Sequence, residues 1–294
     1  MNILLLGASG QVAWSCLHEA NNRNVFLKAL SRKDVDFGNP IDVEKAVISS
    51  SPDIVVNAVA YTAVDKAEEE QTLATRVNSE SVHSIAKACK QLDIPLIHLS
   101  TDYVFDGGAS TPYTETSEVS PLGVYGASKY NGEEAIRDTL SRYFILRTSW
   151  VFGIHGNNFV KTMLRLAKEH ESLRIVADQV GKPTFASHIA EIIFDLISMY
   201  EERVDLPWGT YHLADNDVVS WYEFAGEIFK TASQAGAIDK VPNIEPINTC
   251  DYPTPAKRPA YSVLCCDKLE ALLKRPMANW KNGLETMLKA NSSG

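Results

Sequence analysis

The stretch ILLLGASGQVA, residues 3–13, decides the fold. Ile3, Leu4, Leu5 and Leu6 read as a short buried strand. Gly7-Ala8-Ser9-Gly10 reads as a tight turn, and a helix starts at Gln11 and runs to about residue 20. A helix start presents free N–H groups and the positive end of the dipole, so this turn suits a diphosphate. Gly7 permits the turn, and Gly10 lets the backbone approach the phosphates. Gln11 and Val12 lie beside them. The third position must be small for the helix to pack on the strand, and Ala13 is small. Glycines alone are a weak signal; a strand before them and a helix after them identify a dinucleotide fingerprint. A purely structural strand-to-helix turn is the competing reading.

The same alternation continues outward. Strands are predicted at 25–30, 53–57, 95–100 and 143–148, with helices at 41–50, 72–92 and 122–140. Strand and helix in strict succession imply right-handed βαβ units and a parallel sheet covered on both faces. After Ser149 the pattern loosens. Helices are expected at 158–168, 187–199 and 221–232, and a Pro-rich stretch occupies 242–259. The expected architecture is α/β. A Rossmann-type doubly wound parallel sheet takes residues 1–150, and a smaller C-terminal substrate-binding domain takes most of 151–294. Some later elements are expected to return to the sheet.

Composition sets limits on partners. The chain has 294 residues and a net charge of -9, which argues against a broad nucleic-acid or anionic-membrane surface. Its five cysteines contain no CxxC pair, so free buried thiols are expected rather than a disulfide framework or a zinc site. No apolar run reaches membrane-spanning length and no signal-peptide pattern opens the chain, so a cytoplasmic location is expected.

Two further segments carry chemistry. The second strand ends at Leu30 and is followed by Ser31, Arg32 and Lys33. An NAD-specific site would place an acid there for the ribose 2′-hydroxyl. Two cations suit a 2′-phosphate instead, which favours NADPH, with NADH as a second possible reductant. A solvated basic turn is the competing reading. Asp36 and Phe37 stand where they would flank an adenine. Beyond the fourth strand comes Tyr125-Gly-Ala-Ser-Lys129. Tyr125 and Lys129 share one helix face. A lysine cation beside a tyrosine favours the phenolate and brings it toward working range for proton transfer. YxxxK alone is common by chance. Thr101 at the end of the fourth strand supplies context, because catalytic groups in open α/β sheets gather at carboxyl ends of strands.

In this order, the glycine turn, NAVAYTAVDKAE, STDYVFDG, SPLGVYGASKYNGE, RTSWVFG, GNNFVKTMLRLAKE, DQVGKPT and YPTPAKRP span nearly the whole chain. Together they resemble the extended short-chain dehydrogenase/reductase superfamily. They resemble more closely its branch that reduces the 4-keto group of dTDP-linked 6-deoxy sugars. The resemblance implies hydride transfer to C4 of dTDP-4-dehydro-6-deoxy-L-mannose, giving dTDP-L-rhamnose for bacterial surface polysaccharide. It implies that Tyr125 protonates the C4 oxygen, Lys129 supports it, and Thr101 bonds the same oxygen. Asp102, Trp150, Asn158 and Arg258 are implied on the substrate side. Ala60, Tyr61 and Thr62 are implied along the cofactor. Ala13 stands where a third glycine is usual, and Ser31 stands where some relatives have an acid. Some family members form homodimers through acidic residues that hold magnesium. Ser15 stands at one such position, so no metal is carried over.

Three other functions compete. A reductase of opposite C4 stereochemistry would give dTDP-6-deoxy-L-talose with the same Tyr and Lys. An NAD-retaining epimerase or dehydratase is disfavoured because Tyr103 follows Asp102 where dehydratases of this superfamily have Glu. A non-catalytic dinucleotide-binding subunit would not need Thr101, Tyr125 and Lys129 together.

Overall fold

The N-terminal strand, turn and helix form as the sequence implies. In a computed structural model that describes residues 1–202 and 205–292, β1 (Ile3–Leu6) is buried at all four positions. The helix α1 (Gln11–Asn22) follows directly from Gly10. β1 pairs in parallel with β2 (Leu27–Leu30) on one side and β3 (Ile54–Asn57) on the other. β3 pairs with β4 (Leu96–Thr101), β4 with β5 (Tyr143–Thr148), and β5 with the strand Gly209–His212, all in parallel. The order across the sheet is therefore Gly209–His212, β5, β4, β3, β1, β2. The chain leaves β1 toward β2 and returns on the other side to β3. That reversal opens a crevice beyond the carboxyl ends of β1 and β3, the usual ligand position in such sheets.

Successive residues of a strand face opposite sides, and both sides of this sheet are dry. Leu4 and Leu6 pack with Val43, Val47, Val82 and Ile85. Ile3 and Leu5 pack with Cys16, Ile189, Ile193 and Phe194. The first layer holds α2 (Pro40–Ser50) against the helix Ser81–Leu92; the second holds α1 against the helix Ala186–Glu202. A helix and a strand from beyond residue 150 thus complete the N-terminal sheet. A third core gathers Phe152, Phe185, Phe224, Phe229, Trp280 and Leu284. It is built from the helices Phe159–Glu169, Trp221–Gln234 and Trp280–Ser292 and the short strands between them. No helix among the described residues is long and apolar enough to cross a membrane.

Some boundaries differ from the sequence reading. The second strand starts at Leu27 rather than at residue 25, because Val25 N–H is spent on Ala20 O as α1 ends. The helical pattern over 72–92 is three segments: Gln71–Thr75, a π turn at Arg76–Glu80, and Ser81–Leu92. Such π turns recur at functional sites. This one turns Asn78 inward, where its side chain holds the backbone N–H and C=O of Tyr61 and the hydroxyl of Ser128. Asp267–Leu273 went unseen because seven residues ending at left-handed Lys274 (φ 56°) are too few for a clear period.

The π turn also brings backbone against the helix Val124–Thr139. A Cβ on Gly132 would stand 2.2 Å from Asn78 O. Gly132→Ala should therefore destabilise the protein by about 1–3 kcal/mol from overpacking, outweighing the gain of roughly 1 kcal/mol in helix propensity. Urea denaturation should show a lower midpoint at an unchanged slope. A midpoint equal to or above that of the parent protein would mean that the helix can move off the π turn freely.

Candidate active site

The first half of the site is the crevice at β1. Gly7 has φ 95°, and its N–H and that of Ala8 both donate to Leu30 O, at 2.9 and 3.0 Å. A Cβ on Gly7 would meet the Ala58 carbonyl at 3.0 Å, so the turn at β1 and the end of β3 can approach only around glycine. Gly10 is the N-cap of α1, and no side chain caps that helix and no acid stands in its first turn. Its N–H groups and positive dipole end are thus left for an anion, which fits a dinucleotide diphosphate. Gln11 reaches away from the turn, donating to Val151 O at 3.2 Å. Val12 packs against the core.

At the end of β2 the surroundings are more mixed than the sequence suggests. Arg32 and Lys33 are exposed. Ser31, however, donates from both N and Oγ to Asp34 Oδ2, each at 2.8 Å. An acid three residues on therefore stands beside the cations. Asp36 accepts from Gly38 N, which shapes its own turn. Phe37 is 4% exposed within the core, and its carbonyl accepts from Ser81 Oγ, so its ring is a packing element under the loop. Along β3, Ala60 and Tyr61 are partly exposed and Thr62 is exposed. Asn78 holds the Tyr61 backbone, and Tyr61 OH donates to Glu70 at 2.7 Å.

The second half of the site lies at the end of β4. Thr101 closes that strand; its hydroxyl donates to Asp102 Oδ1 at 3.1 Å and accepts from Tyr103 N at 3.2 Å. Tyr125 stands in the first turn of the helix Val124–Thr139, whose start is held by Glu68 Oε1 accepting from Val124 N at 2.9 Å. Burial pushes the Tyr125 phenol up to about 12; the Thr101 hydroxyl opposes that shift and Asp102 adds to it. Tyr125 is accordingly a protonated phenol, ready to donate. The ring of Tyr103 meets it edge-on, centroids 5.4 Å apart.

Asp102 is 2% exposed, and its Oδ2 has no hydrogen-bond partner among the described residues. Burial raises its carboxyl to about 6, although Ser262 and Thr101 lie near enough to hold it down somewhat. An orphaned acceptor of this kind at the end of a catalytic strand is suited to a ligand hydroxyl.

The four-residue spacing puts Lys129 on the face of Tyr125, while the hydrogen bonds of its Nζ run to β4. Lys129 is 1% exposed, and Nζ donates to Leu99 O at 2.6 Å and lies 3.2 Å from His98 Nε2. A buried amine needs an acceptor, and the β4 backbone offers one. Burial lowers Lys129 to about 8, partly offset by Glu133.

The remaining candidates lie around these. Trp150 follows β5 in a left-handed conformation, φ 47°, and its indole stacks on Trp221 at 3.5 Å and 6°. Asn158 is the N-cap of Phe159–Glu169: Oδ1 accepts from Lys161 N, while Nδ2 donates to Gly153 O and to Gln11 Oε1. Its side chain is thus taken up in joining that helix to the glycine turn. Arg258 makes a two-pronged pair with Asp65, at 3.2 and 2.8 Å, and also donates to Thr254. It fastens the Pro-rich segment onto the loop after β3.

Sequence reading did not single out Asp34, Glu68, Asn78, His98, Trp221 or Ser262. All but Asp34, whose partner Ser31 is three residues away, matter through a partner distant in the chain, so no local pattern marks them. Asn78, inside an ordinary helical period, gives no sign of its π turn.

Comparison with known proteins places this geometry in context. A family model described as the RmlD substrate binding domain matches residues 1–293. The chain is 41% identical over 291 residues to the dTDP-4-dehydrorhamnose reductase of Escherichia coli (strain K12), covering 98% of this chain and 97% of that one. It superposes on the crystal structure of a dTDP-4-dehydrorhamnose reductase from Clostridium acetobutylicum with a TM-score of 0.91 at 37% identity, covering 99% and 100% of the two chains. A Bacillus anthracis dTDP-4-dehydrorhamnose reductase, solved in complex with NADP, gives a TM-score of 0.89 at 36% identity, covering 97% and 98%.

The raised carboxyl of Asp102 makes stability depend on pH. An acid whose folded value lies above its unfolded value near 3.9 binds its proton more tightly in the folded state. Its stabilising contribution is therefore full below pH 4 and is lost as pH rises through about 6. Asp102→Asn removes the buried charge. Relative to the parent, it should gain about 1–3 kcal/mol at pH 8 over its difference at pH 4, as read by urea denaturation at both values. A difference independent of pH would show that Asp102 titrates normally.

Proposed function

The chain belongs to the dTDP-4-dehydrorhamnose reductase family, and from that premise we propose how its own residues carry out the reaction. The enzyme is an NADPH-dependent oxidoreductase that reduces the C4 keto group of dTDP-4-dehydro-6-deoxy-L-mannose to give dTDP-L-rhamnose. NADPH, when bound, supplies the hydride. The observation that carries the assignment of roles is the meeting of Thr101, Asp102 and Tyr125 at the carboxyl end of β4.

Tyr125 donates its phenolic proton to the C4 oxygen as that oxygen gains negative charge. Thr101 bonds the same oxygen and fixes its distance from the phenol. Lys129, one helical turn on, would hold the cofactor ribose once its Nζ leaves Leu99 O, and as a cation it would favour the phenolate that remains. Positioning and a matched proton donor together lower the barrier. Asp102 Oδ2 accepts a hydroxyl of the sugar, which satisfies an atom that has no hydrogen-bond partner among the described residues. Trp150, held by Trp221, forms an aromatic wall on the substrate side. Arg258 and Asn158 act from behind: the first fixes the Pro-rich segment, and the second ties Gln11 to the loop after β5.

Gly7, Gly10, Gln11 and Val12 would hold the diphosphate, and Ala60, Tyr61 and Thr62 would line the cofactor. Arg32 and Lys33, beside Ser31, would take the 2′-phosphate; Asp36 and the buried Phe37 would support the adenine end. The sheet therefore carries the dinucleotide, and the segments after residue 150, save those that join the sheet, carry the nucleotide-sugar.

Tyr125→Phe should lower kcat by about 10²–10⁴-fold, the usual contribution of a positioned proton donor, while NADPH affinity stays nearly unchanged. The assay generates the 4-keto sugar enzymatically from dTDP-glucose and follows loss of reduced-nicotinamide absorbance. Proton coupling constants at C4 distinguish rhamnose from 6-deoxytalose. Undiminished turnover by the Phe variant would remove Tyr125 from its role. No turnover by the folded parent with either reduced cofactor would remove the assigned substrate.

A further inference from the structure

Behind Lys129 lies a chain of buried side chains whose hydrogen-bond directions are set by the backbone. Asn57, the last residue of β3, is fully buried. Its Oδ1 accepts from Val59 N at 3.0 Å. A backbone N–H can only donate, so this contact fixes which end of the amide is oxygen. Asn57 Nδ2 is then the atom that faces His98 Nδ1, at 3.0 Å. An amide nitrogen is likewise only a donor, so Nδ1 must be the bare acceptor nitrogen of the ring. His98 is 0% exposed, and burial, with Lys129 nearby, pushes its protonation far below the usual histidine range. A neutral imidazole with a bare Nδ1 carries its proton on Nε2, and Nε2 lies 3.2 Å from Lys129 Nζ.

A charged Lys129 has three N–H donors and no acceptor. The Nε2–H would then point a donor at a donor. A neutral amine has a lone pair that accepts the Nε2–H while one of its own N–H groups still donates to Leu99 O. We propose that His98, held by Asn57 as the Nε2–H tautomer, is a positioning residue that disfavours the charged form of Lys129 and so sets the pH range in which that lysine carries its proton. This deepens the reductase reading, on which the importance of Lys129 rests.

Other groups around Lys129 do not replace this effect. Glu133, one turn on, favours the charged form. Its carboxylate is already engaged by Arg147 of β5, by Arg137 and by Ser100. Tyr125, one turn before, is held neutral by burial. β3 presents uncharged Asn57, and the π turn presents uncharged Asn78. The burial that lowers Lys129 to about 8 acts in the same direction as the Nε2–H contact. The functional consequence is a lysine close to its own titration midpoint near neutral pH. It can release its hydrogen bond to His98 and take up a proton when its Nζ turns toward a ligand.

Three measurements on the full chain test this. Nitrogen-15 NMR of histidine-labelled free protein reads the His98 tautomer directly, without any activity. The Nε2–H pattern is expected, and the Nδ1–H pattern would overturn the proposal. Lysine carbon-13 NMR, with Lys129 assigned by its loss in Lys129→Met, reads the ionisation of Lys129. His98→Gln can turn its amide oxygen toward Nζ, so the Lys129 midpoint should rise by about one pH unit or more, as expected for an added acceptor at a buried cation. An unchanged midpoint in folded His98→Gln protein would also overturn it. Asn57→Asp keeps the acceptor for Val59 N–H and offers a second one to the ring. It should convert His98 to the Nδ1–H or doubly protonated form, and retention of the Nε2–H tautomer would contradict the assigned lock. These readouts are made without substrate, so loss of the reductase reading would appear in the turnover assay alone.

Discussion

The site depends on one buried carboxylate. Glu133 lies one turn after Lys129, is 0% exposed, and is met from three directions. Arg147 of β5 donates from Nε at 3.0 Å and Nη2 at 2.7 Å, Ser100 of β4 at 2.5 Å, and Arg137 at 2.6 Å. A charge without water is tolerated only when its lone pairs are taken up in this way. Loss of one partner from such a pair costs on the order of 3–5 kcal/mol, because the other charge is left unpaired. The network bolts the helix of Tyr125 and Lys129 to the two strands whose ends carry Thr101 and Trp150. Distances among those four residues are therefore a property of the sheet rather than of loops.

Two further constraints act on the same helix. Glu68 holds its first turn from the loop after β3, and Asn78 in the π turn grips both Ser128 and the backbone of Tyr61. The segment proposed to run along the cofactor is thus tied to the helix that carries the proposed proton donor. Arg258 and Asp65 extend the tie to the Pro-rich segment of the C-terminal half. The cleft is assembled from elements far apart in the chain, each fixed by a few satisfied polar contacts. That is how a dry interior keeps buried polar groups from costing stability.

The titratable groups of the cleft share a tendency. Burial raises Asp102 and Tyr125 and lowers His98 and Lys129, so all four are moved toward their neutral forms. The paired groups go the other way: Glu133 and Asp65 are held below their ordinary values and Arg258 above its own. Shifts toward the neutral forms bring Asp102 and Lys129 closer to neutral pH from opposite sides, where a bound ligand can change their protonation. Asp102 Oδ2, with no hydrogen-bond partner among the described residues, is where the site costs folding stability.

The sequence by itself determined the parallel sheet and the glycine turn, and it put Thr101 at a strand end with Tyr125 and Lys129 on one helix face. These follow from period, from turn chemistry at residues 7–13 and from a four-residue helical spacing, which are all local properties. It also pointed to a return of later elements to the sheet, without saying which. Tertiary structure alone decided that Gly209–His212 closes the sheet beside β5 and that Ala186–Glu202 lies against α1. It put Phe37 inside the core and joined Asn158 to Gln11. Most of all, it bonded Lys129 to Leu99 and His98. Helical spacing fixes which face a side chain leaves from. Where a buried amine finds its acceptor is fixed by the strand it happens to meet, and no local pattern in the chain records that meeting.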